Sequence, residues 1–188
     1  MKQLLILVVL FSAMIAQAQE KYAPKIKQGS RLTYVASVQG QEIPLEISYD
    51  SIGTDYLKMG WSIEGLGNGT WITKKNSIDN ATRGWWDEPA AGVETELADD
   101  QTVLLLSRAQ WKGLQNDKKI EYDMQTFTPV QANEQQLLKL DGKVVDALLL
   151  QGQNGSTRLW VLNDATLPVI LKIEGNTLGP DLDLRSIQ

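Results

Sequence analysis

Apolar and polar residues alternate strictly along three stretches near the front of the chain. Leu32, Tyr34, Ala36 and Val38 alternate with Arg31, Thr33 and Ser37. Ile43, Leu45, Ile47 and Tyr49 alternate with Glu42, Glu46 and Ser48, and Leu57, Met59, Trp61 and Ile63 with Lys58, Ser62 and Glu64. A period of two sends successive side chains to opposite faces, so each stretch predicts a strand of an antiparallel sheet with one buried and one wet face. Gln39, Gly40 and Gln41 turn the chain between the first two, and the glycine-rich 65–69 loop leads into a short strand at 70–73. Pro44 falls on the wet side of the second strand. With no N–H to give to a ladder, it predicts that this strand lies at an edge or carries a bulge.

The middle of the chain is less regular. Ser, Asp, Asn, Gly and Pro mix over 76–92 as in a long loop with room for one helical turn. The stretches 93–97 and 102–106 look like strands joined across Asp99 and Asp100. Ser107 and Gln110 match a capping box, in which each side chain bonds the other's backbone N–H. A short helix follows, ending near Leu114, with Trp111 and Leu114 on one side.

The last third is the clearest. Asp141 with Gly142, and Asn154 with Gly155, are the dipeptides that two-residue hairpin turns favour, because both central positions need positive φ. Strands at 143–151, 157–163, 169–174 and 182–187 form a four-stranded meander. A turn at Asn154 and Gly155 pairs Leu150 with Leu159, Leu149 with Trp160 and Leu148 with Val161. Both faces of that hairpin are then apolar in mid-strand, so both need cover. Either a helix or loop packs on the second face, or a cavity sits there. With no internal repeat, low-complexity segment or linker, the pattern predicts a mainly β single domain with one or two short helices.

The run from Leu159, Trp160, Val161, Leu162, Asn163 and Asp164 through Leu167 and Pro168 to Val169, Ile170, Leu171 and Lys172 resembles a recurrent C-terminal pattern. An aromatic strand ends in Asn-Asp, a Leu-Pro corner follows, and an apolar strand returns. It is similar to exported bacterial β-rich proteins and, at greater distance, to the half-barrel lipoprotein carriers of the periplasm. The similarity covers the last third of the chain. It implies a curved antiparallel sheet, a half-barrel or open barrel, whose concave face holds acyl chains. One departure is that no long amphipathic helix is readable here to fill the barrel.

The N-terminus sets the compartment. Met1 and Lys2 precede an almost entirely apolar run at 4–15, and Ala16, Gln17 and Ala18 supply the small-x-small site of a signal peptidase. Residues 1–18 therefore read as a cleaved signal peptide, leaving 19–188 as one exported domain, periplasmic or secreted. The apolar run is too short to span a bilayer, no transmembrane segment follows, and no Cys is present to carry a lipid. The chain of 188 residues has a formal net charge of −5, one unit more negative once Lys2 leaves with the leader. A mildly acidic chain without a basic cluster is a poor partner for nucleic acid.

Composition removes several chemistries. With neither His nor Cys, Ser-His-Asp and Cys-His schemes cannot be built, and zinc loses its usual ligands. No phosphate loop, dinucleotide fingerprint or EF-hand loop is present, so no cofactor and no metal are expected. Paired carboxylates remain, as in glycosidases. The candidates are Asp87 and Glu88, Asp99 and Asp100, and Asp181 and Asp183, all of which read first as solvated acids. Among six Trp residues, Trp61 reads as core, Trp111 and Trp160 as core or cavity lining, and Trp71 as either. Trp85 and Trp86, adjacent in a loop, form a lid folded onto the sheet or a sugar-stacking platform. Asn68, Asn80 and Asn154 open glycosylation sequons that mainly mark surface turns.

The expected function is a non-enzymatic binding protein that holds an apolar small molecule or lipid on a curved sheet. Leu149, Trp160, Trp85 and Trp86 are its candidate ligand-binding residues. The alternative is a surface-interaction or carbohydrate-binding protein that uses Trp85 and Trp86. An acid-based hydrolase ranks last.

Overall fold

The computed structural model describes residues 21–188. The 1–18 leader and its cleavage site lie outside the described residues. Strand β1 (Arg31–Val38) turns at Gln39 and Gly40, both at positive φ, into β2 (Gln41–Ile52). β3 (Tyr56–Ile63) and β4 (Gly67–Lys74) continue the meander and lead into helix α1 (Lys75–Asn80). The two-residue β5 (Arg83–Gly84), β6 (Glu94–Glu96) and β7 (Gln101–Thr102) precede helix α2 (Arg108–Asn116). Next come β8 (Ile120–Tyr122), β9 (Gln125–Val130), a single 3-10 turn at Glu134–Gln136, and the small hairpin of β10 (Lys139–Leu140) and β11 (Lys143–Val144). β12 (Ala147–Gly152), β13 (Arg158–Leu162), β14 (Ile170–Glu174) and β15 (Asp181–Ile187) complete the chain.

Eleven of these strands form one open sheet in the order β6-β4-β3-β2-β1-β15-β14-β13-β12-β9-β8. All neighbours are antiparallel except β4 and β6. The expected mainly β single domain is what forms. The alternating positions behave as the period of two requires: Leu32, Tyr34, Leu45, Ile47, Tyr49, Leu57, Met59 and Trp61 are all buried on one face. Tyr34 spans that interior and donates its hydroxyl to the Ile170 carbonyl oxygen at 3.0 Å. Burial raises the Tyr34 hydroxyl well above its ordinary pKa, with the neighbouring Tyr49 adding to the shift.

The sheet is curled. β4 and β8 lie near opposite ends of the strand order, yet α1, which leaves β4, packs on α2, which leads into β8. Asp79 of α1 binds Lys75 and Arg108 at 2.6 Å each, and these two cations hold its carboxyl below the ordinary range. The segment after α1 reaches the β8–β9 turn directly, where the Asp123 N–H donates to the Thr82 carbonyl at 2.9 Å. Curling is the usual resolution for an open twisted sheet of more than about ten strands.

Several local expectations hold. Ser107 and Gln110 form the capping box that starts α2. Leu149 pairs with Trp160, Leu150 with Leu159 and Leu148 with Val161, and the C-terminal meander has the expected order.

Four details differ. β2 is interior, not an edge: Pro44 pairs with Val35 of β1, but it lies beyond Leu45, whose partner Ile63 ends the pairing with β3. The proline therefore faces no donor-seeking carbonyl, and the bulge expected as the alternative is present in β2, between Tyr49 and Ser51 and not at the proline. The strands around Asp99 and Asp100 do not form a hairpin; β6 joins β4 in parallel and β7 joins β5. Residues 103–106 are not a strand but a buried segment beside the start of β14, with the Ile170 N–H donating to Leu104 at 2.8 Å. The Asp141 and Gly142 turn has both residues at positive φ, but Asn154 keeps an ordinary φ. Its side-chain oxygen instead accepts from the Ser156 and Thr157 N–H groups at 3.0 Å each, closing a four-residue loop in the same register.

Candidate functional site

At the end of the curled sheet that carries the β1–β2 and β3–β4 turns, the inner face is incompletely filled. The cavity there measures about 660 Å³. Its floor is laid by sheet register: Ala36 lies between its partners Ile43 and Leu182, and Leu45 lies beside Ile63. Val38, Leu66 and Pro180 extend the floor to the rim, and Trp71 closes the β4 side. The roof is the loop from Trp85 to Pro89, together with Val103 and Leu104. Leu104 holds a φ of 46°, a conformation that a leucine rarely adopts and that persists where surrounding structure enforces it.

The roof is anchored through Trp86. Gly84 and Gly179 let the indole lie flat between two backbones: a Cβ on Gly84 would stand 2.6 Å from its ring, and one on Gly179 would stand 2.5 Å away. The Trp86 Nε1–H donates to Asp123 Oδ2 at 2.8 Å, and the Gly84 N–H donates to Asp123 Oδ1 at 2.9 Å. Burial raises the Asp123 carboxyl above its ordinary pKa, against the opposing pull of those two donors and of Arg83.

An acid with a raised folded-state pKa stabilises the fold fully below its unfolded pKa, and this contribution is lost as pH rises through the folded value. Asp123→Asn should therefore flatten that part of the stability–pH curve. An amide oxygen can replace only one carboxylate oxygen, and the amide NH2 then faces the second donor, so the variant should lose about 1–3 kcal/mol at neutral pH. Urea unfolding across pH, followed by tryptophan emission, reads both effects; an unchanged midpoint at neutral pH would mean that the carboxylate does not anchor the roof.

Trp85 extends an aromatic row. Its ring meets Trp71 edge-on at 5.4 Å, and Trp71 stacks on Trp61 at 5.8 Å. Trp71 is only 3% exposed, yet its indole N–H has no hydrogen-bond partner. Trp85 and Trp86 are half-buried and pack against the core. They form the roof of a cavity, with the Trp86 ring held against the Gly84 and Gly179 backbones and Trp85 lining the cavity beside Trp71.

Leu149 and Trp160 sit elsewhere. They face outward from the sheet, each 3% exposed, beneath the 131–138 segment, whose Gln136 carbonyl accepts the Trp160 Nε1–H at 2.7 Å. Lys172 lies over the other side of the Trp160 ring, 5.1 Å from its centre. A cleft of about 190 Å³ remains under this segment and a polar groove of about 480 Å³ runs beside it past Arg158, Trp160 and Lys172, so a loop covers Leu149 and leaves Trp160 at the border of that groove. The structure thus groups Trp85 with Trp86 and Leu149 with Trp160 on opposite sides of the sheet.

The acids do not converge. Asp100 pairs with Arg83 and Asp183 with Arg185, while Asp181 accepts the Asn176 N–H. Among the described residues no group of three carboxylates could hold a metal ion. Asp87 and Glu88 are exposed at the cavity mouth.

Sequence reasoning did not single out Ala36, Val38, Ile43, Ile63 or Leu182 as lining. A signal was present: the alternation in β1 and β2 carries apolar residues right up to the turn, where Val38 is 40% exposed. Comparison with family models, with curated proteins and with solved structures found no match.

Proposed function

We propose that this is an exported, non-enzymatic binding protein that holds one apolar small molecule or acyl chain in the cavity beneath the Trp85–Trp86 roof. The observation that carries this reading is the cavity itself. It is apolar on its floor and walls, lies within the size range of small-ligand sites, and opens at a rim where Val38 and Leu66 are each 40% exposed. Apolar side chains left beside water at a concave mouth are what a hydrophobic ligand would cover. The curled open sheet is also the architecture implied by the resemblance of 159–172 to half-barrel carriers, although fold likeness alone does not assign a ligand.

The uncharged fluorescent probe N-phenyl-1-naphthylamine should bind saturably to the native protein. Ala36→Phe places a ring between Ile43 and Leu182, in the space the ligand would use. It should abolish probe binding and, because that space is unfilled, shift stability by less than the roughly 1–3 kcal/mol that overpacking a full core costs. Absence of saturable binding to the wild type, or undiminished binding to Ala36→Phe, would overturn the reading. Native mass spectrometry of protein purified from its own compartment should show a co-purifying apolar mass.

A further inference from the structure

The charge around the cavity mouth is one-sided. Glu64 on the β3–β4 turn and Asp87 and Glu88 on the roof loop are the titratable side chains lining the cavity, and no Lys or Arg lines it. All three are exposed, and none takes part in an ion pair among the described residues, unlike Glu94 with Lys58, Glu46 with Arg31 or Asp100 with Arg83. These carboxylates stand at the water-facing end of an apolar cavity, in a chain whose net charge is already −5. Like charges at the mouth of a low-dielectric cleft add their potentials and select the sign of what enters. The interior that these three acids front is lined by apolar side chains, among them Ala36, Ile43, Leu45 and Leu182.

Resting on the reading of this cavity as a ligand site, we propose that its ligand is a cationic amphiphile, with the apolar chain under the Trp85–Trp86 roof and a positively charged head among Glu64, Asp87 and Glu88. An anionic amphiphile such as a free fatty acid would bring its carboxylate against three others with no cation to receive it. The exposure of these side chains makes the preference sensitive to salt, because charges in water are screened over about 10 Å at an ionic strength of 0.1 M.

The test is displacement of N-phenyl-1-naphthylamine from the full protein by decyltrimethylammonium, decanol and decanoate, three probes with one chain and three head charges. At low salt the cation should displace at a concentration at least about tenfold below that of decanoate, with decanol between them. The ratio should shrink toward unity in high salt. It should also fall to within about twofold in the Glu64→Gln, Asp87→Asn, Glu88→Gln triple variant, and being a ratio it is unaffected by any general loss of affinity. Decanoate displacing as well as the cation, or a ratio that survives the triple variant, would overturn the charge assignment while leaving the apolar site in place. Failure of decanol and of both charged probes to displace anything would overturn the site and this proposal together.

Discussion

Leu149→Asp should lower the stability of the fold by on the order of 3–5 kcal/mol, because it buries a carboxylate against the Trp160 ring and the 131–138 segment. The side chain is 3% exposed, held between its cross-strand partner Trp160 and the 131–138 segment. That segment is fixed in turn by the Asn133 cap, whose side-chain oxygen accepts the Gln135 and Gln136 N–H groups at 3.0 and 3.1 Å. Urea unfolding monitored by circular dichroism gives the number. A loss below about 1 kcal/mol would match an exposed surface substitution, and would show that 131–138 lifts away and leaves the outer face of the hairpin open to water.

Trp71→Ala should have a comparable effect, about 3–5 kcal/mol, since it removes a large buried ring and leaves a void. The void would sit between Trp61 and Trp85, whose rings lie 5.8 and 5.4 Å from that of Trp71. Trp71→Phe separates packing from polarity. It keeps an aromatic ring between its neighbours and deletes the N–H that has no partner, a buried donor whose desolvation costs about 1–3 kcal/mol. Trp71→Phe should therefore lose less than half of what Trp71→Ala loses. Equal losses in the two variants, measured by denaturant midpoint, would mean that the indole N–H is satisfied after all.

Local chemistry made much of the fold readable, and the errors have local causes too. A period of two reports which face a residue takes, and β1, β2 and β3 follow it. Pro44 reports only that its own nitrogen has no acceptor opposite; it does not say where the strand ranks in the sheet. At Asn154 the side-chain amide stands in for the backbone of a two-residue turn, so the register survives a change of turn type. The parallel pairing of β6 with β4 is beyond such rules, because Glu94, Thr95 and Glu96 carry no alternation and their partner lies across an intervening helix and loop. The site falls under the same limit. The doubly apolar hairpin showed that Leu149 and Trp160 needed cover, but not that 131–138 would provide it. Trp85 and Trp86 stood out as a lid or a stacking platform, while the floor beneath them depends on which stretch of the inner face 103–106 leaves bare.

The position of β15 governs the order in which the domain can assemble. β15 is the last strand in sequence, and it alone joins β1 to β14 in the hydrogen-bonded ladder, pairing Leu32 with Ile187 on one side and Ile173 with Leu182 on the other. Each half can form its own meander from near neighbours, β1 to β4 in one and β12 to β14 in the other. The floor that carries Ala36 and Leu182 together comes into being only when the two halves dock on that strand. Contacts this distant in sequence close slowly, so the cavity under Trp85 and Trp86 should be among the last features to form, maturing together with the native state and not in any partly folded precursor.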